Sequence, residues 1–319
     1  MPSTVNNNHH FIGLLVKLLT VWISALRLRT LPLATSSIIV SGGLAIQHNV
    51  FNLTIFLLSL LTALLLQILS NLANDYGDAL TGVDEQRIGP ERAMQSGLIS
   101  ASAMKNALIL MTALCIVSGL FLLNVSFHHD LKSWLIFLVL GALAVMAAIT
   151  YTMGKLPYGY RAMGDLAVFI FFGLLGVLGC FYLQALTLSI FLVLPAISVG
   201  LLSAAVLNIN NMRDIYNDQK ANKITLVVLL GRQKAFIYHL LLIGISLLCA
   251  IIYIHHIENS QYWQYLFMLV VIPLTKSCLQ IANEIKKESR EGDIFNEELK
   301  NTAVSTFVFS LLFAIVLIA

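Results

Sequence analysis

Polar residues in this chain come in bursts, separated by runs of about 20 residues that are almost wholly apolar. A helix that crosses the roughly 30 Å hydrocarbon layer needs a run of this length. Nine stretches qualify: 31–47, 51–73, 107–127, 134–152, 164–186, 188–209, 236–255, 262–281 and 302–319. The pattern predicts an all-α integral membrane protein of nine spans, with 1–319 forming a single membrane-embedded domain. The apolar stretch Phe11–Leu26 is interrupted by Lys17, has no basic segment before it and is followed by no cleavage site. It reads as a cytoplasmic or interfacial helix within segment 1–30, not as a secretory signal.

Charge fixes the orientation. Nine spans put the termini on opposite sides, and of the 19 Lys and Arg only Lys132 then lies opposite the N-terminus. Basic-rich short loops face the cytoplasm. The N-terminus is therefore expected inside and the C-terminus outside. Only 11% of residues are charged and 58% are hydrophobic, against about 25% charged in a soluble domain. That excludes an ordinary soluble enzyme, a secreted disulfide scaffold and a disordered chain. A net charge of +3 is too small to suggest a nucleic-acid partner. Cys115, Cys180, Cys249 and Cys278 all sit in apolar runs with no CxxC pair and read as packing residues. Gly173, Gly176 and Gly179 would let the fifth span approach a neighbour closely.

The acids are concentrated where spans two and six reach the inner face. If the helix of span two continues through SNLANDYGD, then Asn71, Asp75 and Asp78 share one face, with Asn74 beside them. If span six continues through NINNMRDIYND, then Asn210, Asp214 and Asp218 form a matching stripe, with Asn211 adjacent. Like charges one turn apart repel, and acids at a membrane boundary are costly. Such stripes call for a compensating cation. Oxygen donors from Asp and Asn suit Mg²⁺, which binds through one or two carboxylates and substrate phosphates. Two facing stripes would hold two Mg²⁺ that clamp one diphosphate. Arg92, Arg213, Lys220 and Lys223 are then available to the remaining phosphate oxygens. A plainer reading is that polar helix ends simply meet cytoplasm and that the basic residues anchor the chain. Asp165, opening the fifth span, reads as a helix N-cap. Arg27 and Arg29 read as headgroup anchors, and Glu284–Lys300 as a solvated connector. No P-loop, GxGxxG or HExxH is present.

The stretches LRLRTLP (26–32), NLANDYGD (71–78), RIGPERAMQSG (87–97), YTMGKLPYGY (151–160) with Gly164–Asp165, and NINNMRD (208–214) with KITL (223–226) resemble the UbiA superfamily of intramembrane aromatic prenyltransferases. The likeness is greatest to its menaquinone-pathway branch. Gly82 stands where many members carry a further Asp, and Asp84 follows two residues on. The resemblance implies a nine-helix bundle around a cavity open to the cytoplasmic side, in a bacterial inner membrane. It implies transfer of a polyprenyl group from polyprenyl diphosphate to 1,4-dihydroxy-2-naphthoate, with loss of CO2 and diphosphate, giving demethylmenaquinone. By the same resemblance, Asn71, Asp75, Asp78, Asp214 and Asp218 hold Mg²⁺, and Asn74, Asn210, Asn211, Arg92 and Lys223 contact the donor. Tyr151, Lys155 and Tyr158 either border the aromatic acceptor, with Lys155 meeting its carboxylate, or anchor the chain at the interface. Other acceptors, such as 4-hydroxybenzoate, homogentisate or haem, stay open. So do a cation transporter, whose acids would lie nearer the bilayer midplane, and a non-catalytic scaffold.

Overall fold

The computed structural model describes residues 19–81, 92–257, 261–287 and 293–318, except for the side chain of Arg29. Asp84, Gly82 and the 87–91 part of the second motif lie outside these residues, as do Lys17 and the rest of 1–18. The described chain is helical, with one isolated bridge between Arg161 and Ile224.

Nine helices carry the architecture. They are α1 (Leu31–Gln47), α2 (Leu53–Thr81), α3 (Ala101–Ser126), α4 (Leu131–Thr150), α5 (Gly164–Ala185), α6 (Ile190–Lys220), α7 (Leu226–His256), α8 (Tyr262–Lys286) and α9 (Asp293–Ile318). Among the described residues, eight are long and apolar enough to cross a membrane; α1, with 17 residues, makes a ninth when counted with the short helix Leu19–Leu26, from which it is bent by 51°. Each expected span is present. The helices overshoot the apolar runs at the inner face, α2 by two turns and α6 by three. There the Asn and Asp side chains face inward, not into water, so the helical backbone continues. Helix α7 is broken at Gly231, whose φ of 76° lies in the left-handed region that favours glycine. Its first turns are thus separate from the span that follows.

Packing divides the bundle in two. Helices α1 and α5–α9 share one core, in which Phe267, Phe309 and Phe313 stack edge and face with centroids 5.3–5.6 Å apart. Helices α2 and α3 form a second core around Leu69, Leu72 and Met104. Helix α4 is the loosest element, burying only Ser133 and Ala144. Residues Phe169–Gly179 of α5 are wound as a π-helix, a widened form that recurs at functional sites. No feature of the apolar run signals this. Of the three α5 glycines, Gly173 meets the α6 backbone at Gly200 and Gly176 meets Ser37 of α1, while Gly179 faces only side chains. The four cysteines are free, and all are buried or partly buried.

The α4–α5 connection folds back onto α2. Thr152 Oγ1 donates to the Ala73 carbonyl at 3.0 Å and to Asn74 Oδ1 at 3.2 Å. A Cβ on Gly77 would lie 2.7 Å from the Thr152 carbonyl oxygen, so glycine is what lets this turn reach the acid-bearing face. Gly77→Ala is therefore expected to lower stability by about 1–3 kcal/mol. Gly244→Ala, on α7 with nothing within 4 Å, should hold or gain up to about 1 kcal/mol through helix propensity. Thermal unfolding of both variants in detergent checks the opposite signs.

Candidate active site

The two acid stripes occupy the overshooting ends of α2 and α6. Asn71, Asp75 and Asp78 are all buried, as are Asn211, Asp214 and Asp218. These helices make little direct contact with each other. What joins their ends is a set of cations and loops.

Asp78 accepts from Arg92 Nη2 at 2.7 Å and from the Tyr160 hydroxyl at 2.8 Å. Asp214 is held by Arg213 through Nε at 2.7 Å and Nη2 at 2.6 Å. Arg213 in turn donates to Asn210 Oδ1 and Asn296 Oδ1, each at 2.8 Å. Asp218 pairs with Lys223 at 3.3 Å. Lys223 is the link between the stripes. Burial alone would push its ammonium down, yet the carboxylates of Asp78, Asp218 and Asp214 together hold it above the ordinary lysine range. One cation thus lies in the field of acids from both helices. Its Nζ also sits 5.5 Å from the Tyr160 ring centroid.

Backbone bonds set this arrangement. Ala162 N–H donates to the Ile224 carbonyl at 2.7 Å, and Ile224 N–H to that of Tyr160 at 3.2 Å. The α4–α5 and α6–α7 connections are therefore stapled over the acids, carrying Tyr160 and Lys223 with them.

Deeper along α2, Asn71 is bound to the segment ahead of α1. Its Nδ2 donates to the Leu26 carbonyl and to Thr30 Oγ1, both at 3.0 Å, and its Oδ1 accepts from Gln67. Gln67 and Ser70 then form the polar end of a cavity of about 220 Å³ between α1, α2, α4 and α5, walled by Tyr158, Phe171, Phe172 and Leu175 among others. The acid pocket and an apolar chamber thus adjoin along one helix face. Tyr158 donates to the Ala147 carbonyl at 2.9 Å, and burial pushes its hydroxyl up to about 12.

Tyr151 packs edge-on to Tyr158, and its hydroxyl lies over Gly164. Burial, then the nearby Asp165 carboxylate, raises its hydroxyl above the usual range, and Asp78 and Asp218 act in the same direction. Tyr151 is therefore set between the acid pocket and Asp165. Lys155 is not brought in: it is exposed on the turn after Tyr151 and makes no ion pair among the described residues.

Two expectations are corrected. Asp165 does not cap α5; Met163 holds the cap position without a side-chain bond, and Asp165 lies buried one residue inside the helix. Glu284–Lys300 is not a solvated connector. Glu284, Phe295 and Glu298 are buried, and Asn296 braces Arg213. Glu284 and Glu298 turn inward while Lys286, Lys287, Asp293, Glu297 and Lys300 stay exposed, a division that periodicity within one segment cannot show. Tyr160, Asn296 and Thr152 were not singled out by the sequence. Nothing in YGY separates Tyr160 from Tyr158, and Asn296 comes into play only through an arginine 83 residues away.

Among the described residues no three His, Cys, Asp or Glu converge into a metal cluster. The donor set is all oxygen and leaves room for other ligands, which suits a hard cation completed by waters and substrate.

The chain is similar to known proteins in both sequence and fold. The chain is 48% identical over 265 residues to the 1,4-dihydroxy-2-naphthoate octaprenyltransferase of Escherichia coli strain K12, covering 83% of this chain and 85% of that one. It is 46% identical to the protein of that name from Haemophilus influenzae, covering 82% and 85%. Among solved structures it shares the fold of a UbiA homolog from Archaeoglobus fulgidus bound to GPP and Mg²⁺ (TM-score 0.61, 16% identity, 92% and 99% covered). It also shares that of a UbiA homolog from Aeropyrum pernix K1 (TM-score 0.59, 17% identity, 89% and 97% covered). The UbiA prenyltransferase family model matches residues 35–292. Matched over that range, and nearly half identical to relatives across four-fifths of its length, the chain belongs to the UbiA prenyltransferase family.

Proposed function

We propose that this chain transfers a polyprenyl group from polyprenyl diphosphate to 1,4-dihydroxy-2-naphthoate, releasing diphosphate and CO2 and yielding demethylmenaquinol, the reduced form of demethylmenaquinone, for menaquinone biosynthesis. The observation that carries the reading is Lys223, paired with Asp218 at 3.3 Å and in the shared field of Asp78 and Asp214, with an apolar cavity lined further along α2 by Gln67 and Ser70. The names of the 46–48% identical relatives supply the acceptor.

Asp75 and Asp78, with Asn71, would hold Mg²⁺ on the α2 side, and Asp214 and Asp218 on the α6 side. Bound there with the donor, Mg²⁺ would neutralise charge growing on the departing diphosphate. Asn74, Asn210 and Asn211 orient the donor's phosphate oxygens. Arg92 and Lys223, which neutralise the acids in this structure, turn to the same oxygens when the donor is bound. The greasy walls of the cavity keep water from the allylic cation. Tyr151 borders the naphthoate ring, whose carboxylated carbon attacks the cation. Lys155, on the exposed turn, gives the acceptor's carboxylate a cation at the entrance. The whole is read as one domain in a bacterial inner membrane, N-terminus inside and C-terminus outside.

Replacing Asp75 or Asp214 by Asn is expected to cut turnover at least about a hundredfold while thermal unfolding in detergent stays cooperative. Near-wild-type rates in either variant would reject the assignment. Chelation by EDTA should silence the purified chain, and added Mg²⁺ should restore it. Incubation with octaprenyl diphosphate beside dihydroxynaphthoate or 4-hydroxybenzoate, reading lipid product and CO2, tests the acceptor. Product with 4-hydroxybenzoate alone would favour the sister chemistry.

A further inference from the structure

The turn of α6 that carries Asp214 is held from outside α6. Two arginines flank it. Arg213 grips Asp214 through Nε and Nη2, and Arg232 of α7 donates from Nε to the Met212 carbonyl at 3.1 Å. The Arg232 guanidinium also lies over two rings, 4.8 Å from the centroid of Tyr216 and 5.1 Å from that of Phe295. Both arginines are then met by adjacent residues of α9. Phe295 seats Arg232, and Asn296 Oδ1 accepts from Arg213 Nη1 at 2.8 Å. These two α9 residues lie past residue 292, where the match to the family model ends. Arg213 is only 3% exposed, so water does not readily replace Asn296 as its partner, and a buried donor left unpaired is costly.

We propose that Asn296 is a positioning residue for Asp214: by anchoring Arg213 on α9 it fixes the carboxylate's place and sets how readily Asp214 turns from the guanidinium to a divalent cation. The proposal rests on the reading of Asp214 as a metal ligand. Arg213 presents a planar fork whose donor directions are fixed. With Nη1 on Asn296, and Nη2 on Asn210 and Asp214, the fork is held at three points on two helices. The anchor also leaves the guanidinium an acceptor when the carboxylate turns away. Without it, the donors of a buried cation fall on Asn210 and Asp214 alone, and Arg213 competes harder with an incoming metal ion. Both effects weaken the metal. Groups that orient a metal ligand from behind are worth about 10–100-fold in metal affinity. Phe295 offers no acceptor to this network, which makes Asn296 the residue to test.

The test measures equilibrium binding of octaprenyl diphosphate to the purified full-length chain across a Mg²⁺ titration, with no acceptor added, beside thermal unfolding without Mg²⁺. Asn296→Leu keeps the size of the side chain and removes the acceptor. It should raise the Mg²⁺ concentration at half-saturation by about tenfold or more. Asn296→Ala gives the same reading should leucine not be accommodated. Asn296→Asp keeps an acceptor oxygen in place and should restore most of the loss. Asn301→Leu, on the same helix but paired with Glu298, should leave half-saturation at the wild-type value. An unmoved half-saturation in Asn296→Leu overturns the proposal, even if the unfolding midpoint falls. An equal rise in Asn301→Leu or in Asn296→Asp also overturns it and reduces Asn296 to a packing role. Donor binding by wild type that needs no Mg²⁺ defeats the metal reading and this inference with it, whereas Mg²⁺-dependent wild type beside an unmoved Asn296→Leu defeats this inference alone.

Discussion

The structure depends on holding carboxylates from two helices close together at the lip of a membrane. Asp78, Asp214 and Asp218 are buried and of one sign. Left alone they would drive the ends of α2 and α6 apart and would carry a desolvation cost that grows with burial. Arg92, Arg213 and Lys223 supply the opposing charge, and Lys223 does so for both helices at once. The same cations can serve a diphosphate. In the proposed reaction these basic groups would exchange carboxylate oxygens for phosphate oxygens.

That balance needs loops placed to within a few tenths of an ångström. The Arg161–Ile224 bridge joins two connections from different halves of the chain, and Gly77 lets one of them dock on α2. Behind them, Asn296 of α9 accepts from Arg213 and fixes it against α6. The membrane portion has a different task. It supplies an apolar cavity between α1, α2, α4 and α5, walled in part by the π-helical turns of α5. Head and tail of an amphipathic donor thus find chemically matched surroundings along one helix, α2.

Much of this could be read from residues in order. Spans follow from run length, since hydrocarbon tolerates no long polar segment. The stripes follow from helical period, because Asn71, Asp75 and Asp78 are neighbours on any helix that continues, as are Asn210, Asp214 and Asp218. Both are local facts, repeated every few residues. Asp165 shows the limit of such reading: type and position suggested a cap, but the fold gives the cap position to Met163 and buries Asp165 inside the helix.

The sequence by itself determined the membrane class, the nine crossings and the two acid-bearing helix ends, because each is encoded by periodicity within one segment. Only the tertiary structure decided that the two ends share Lys223, that Tyr160 rather than its neighbour reaches Asp78, and that Asn296 braces Arg213. Each of these is a relation between segments far apart in the chain, fixed by which helices pack and which do not, and no local pattern carries that information.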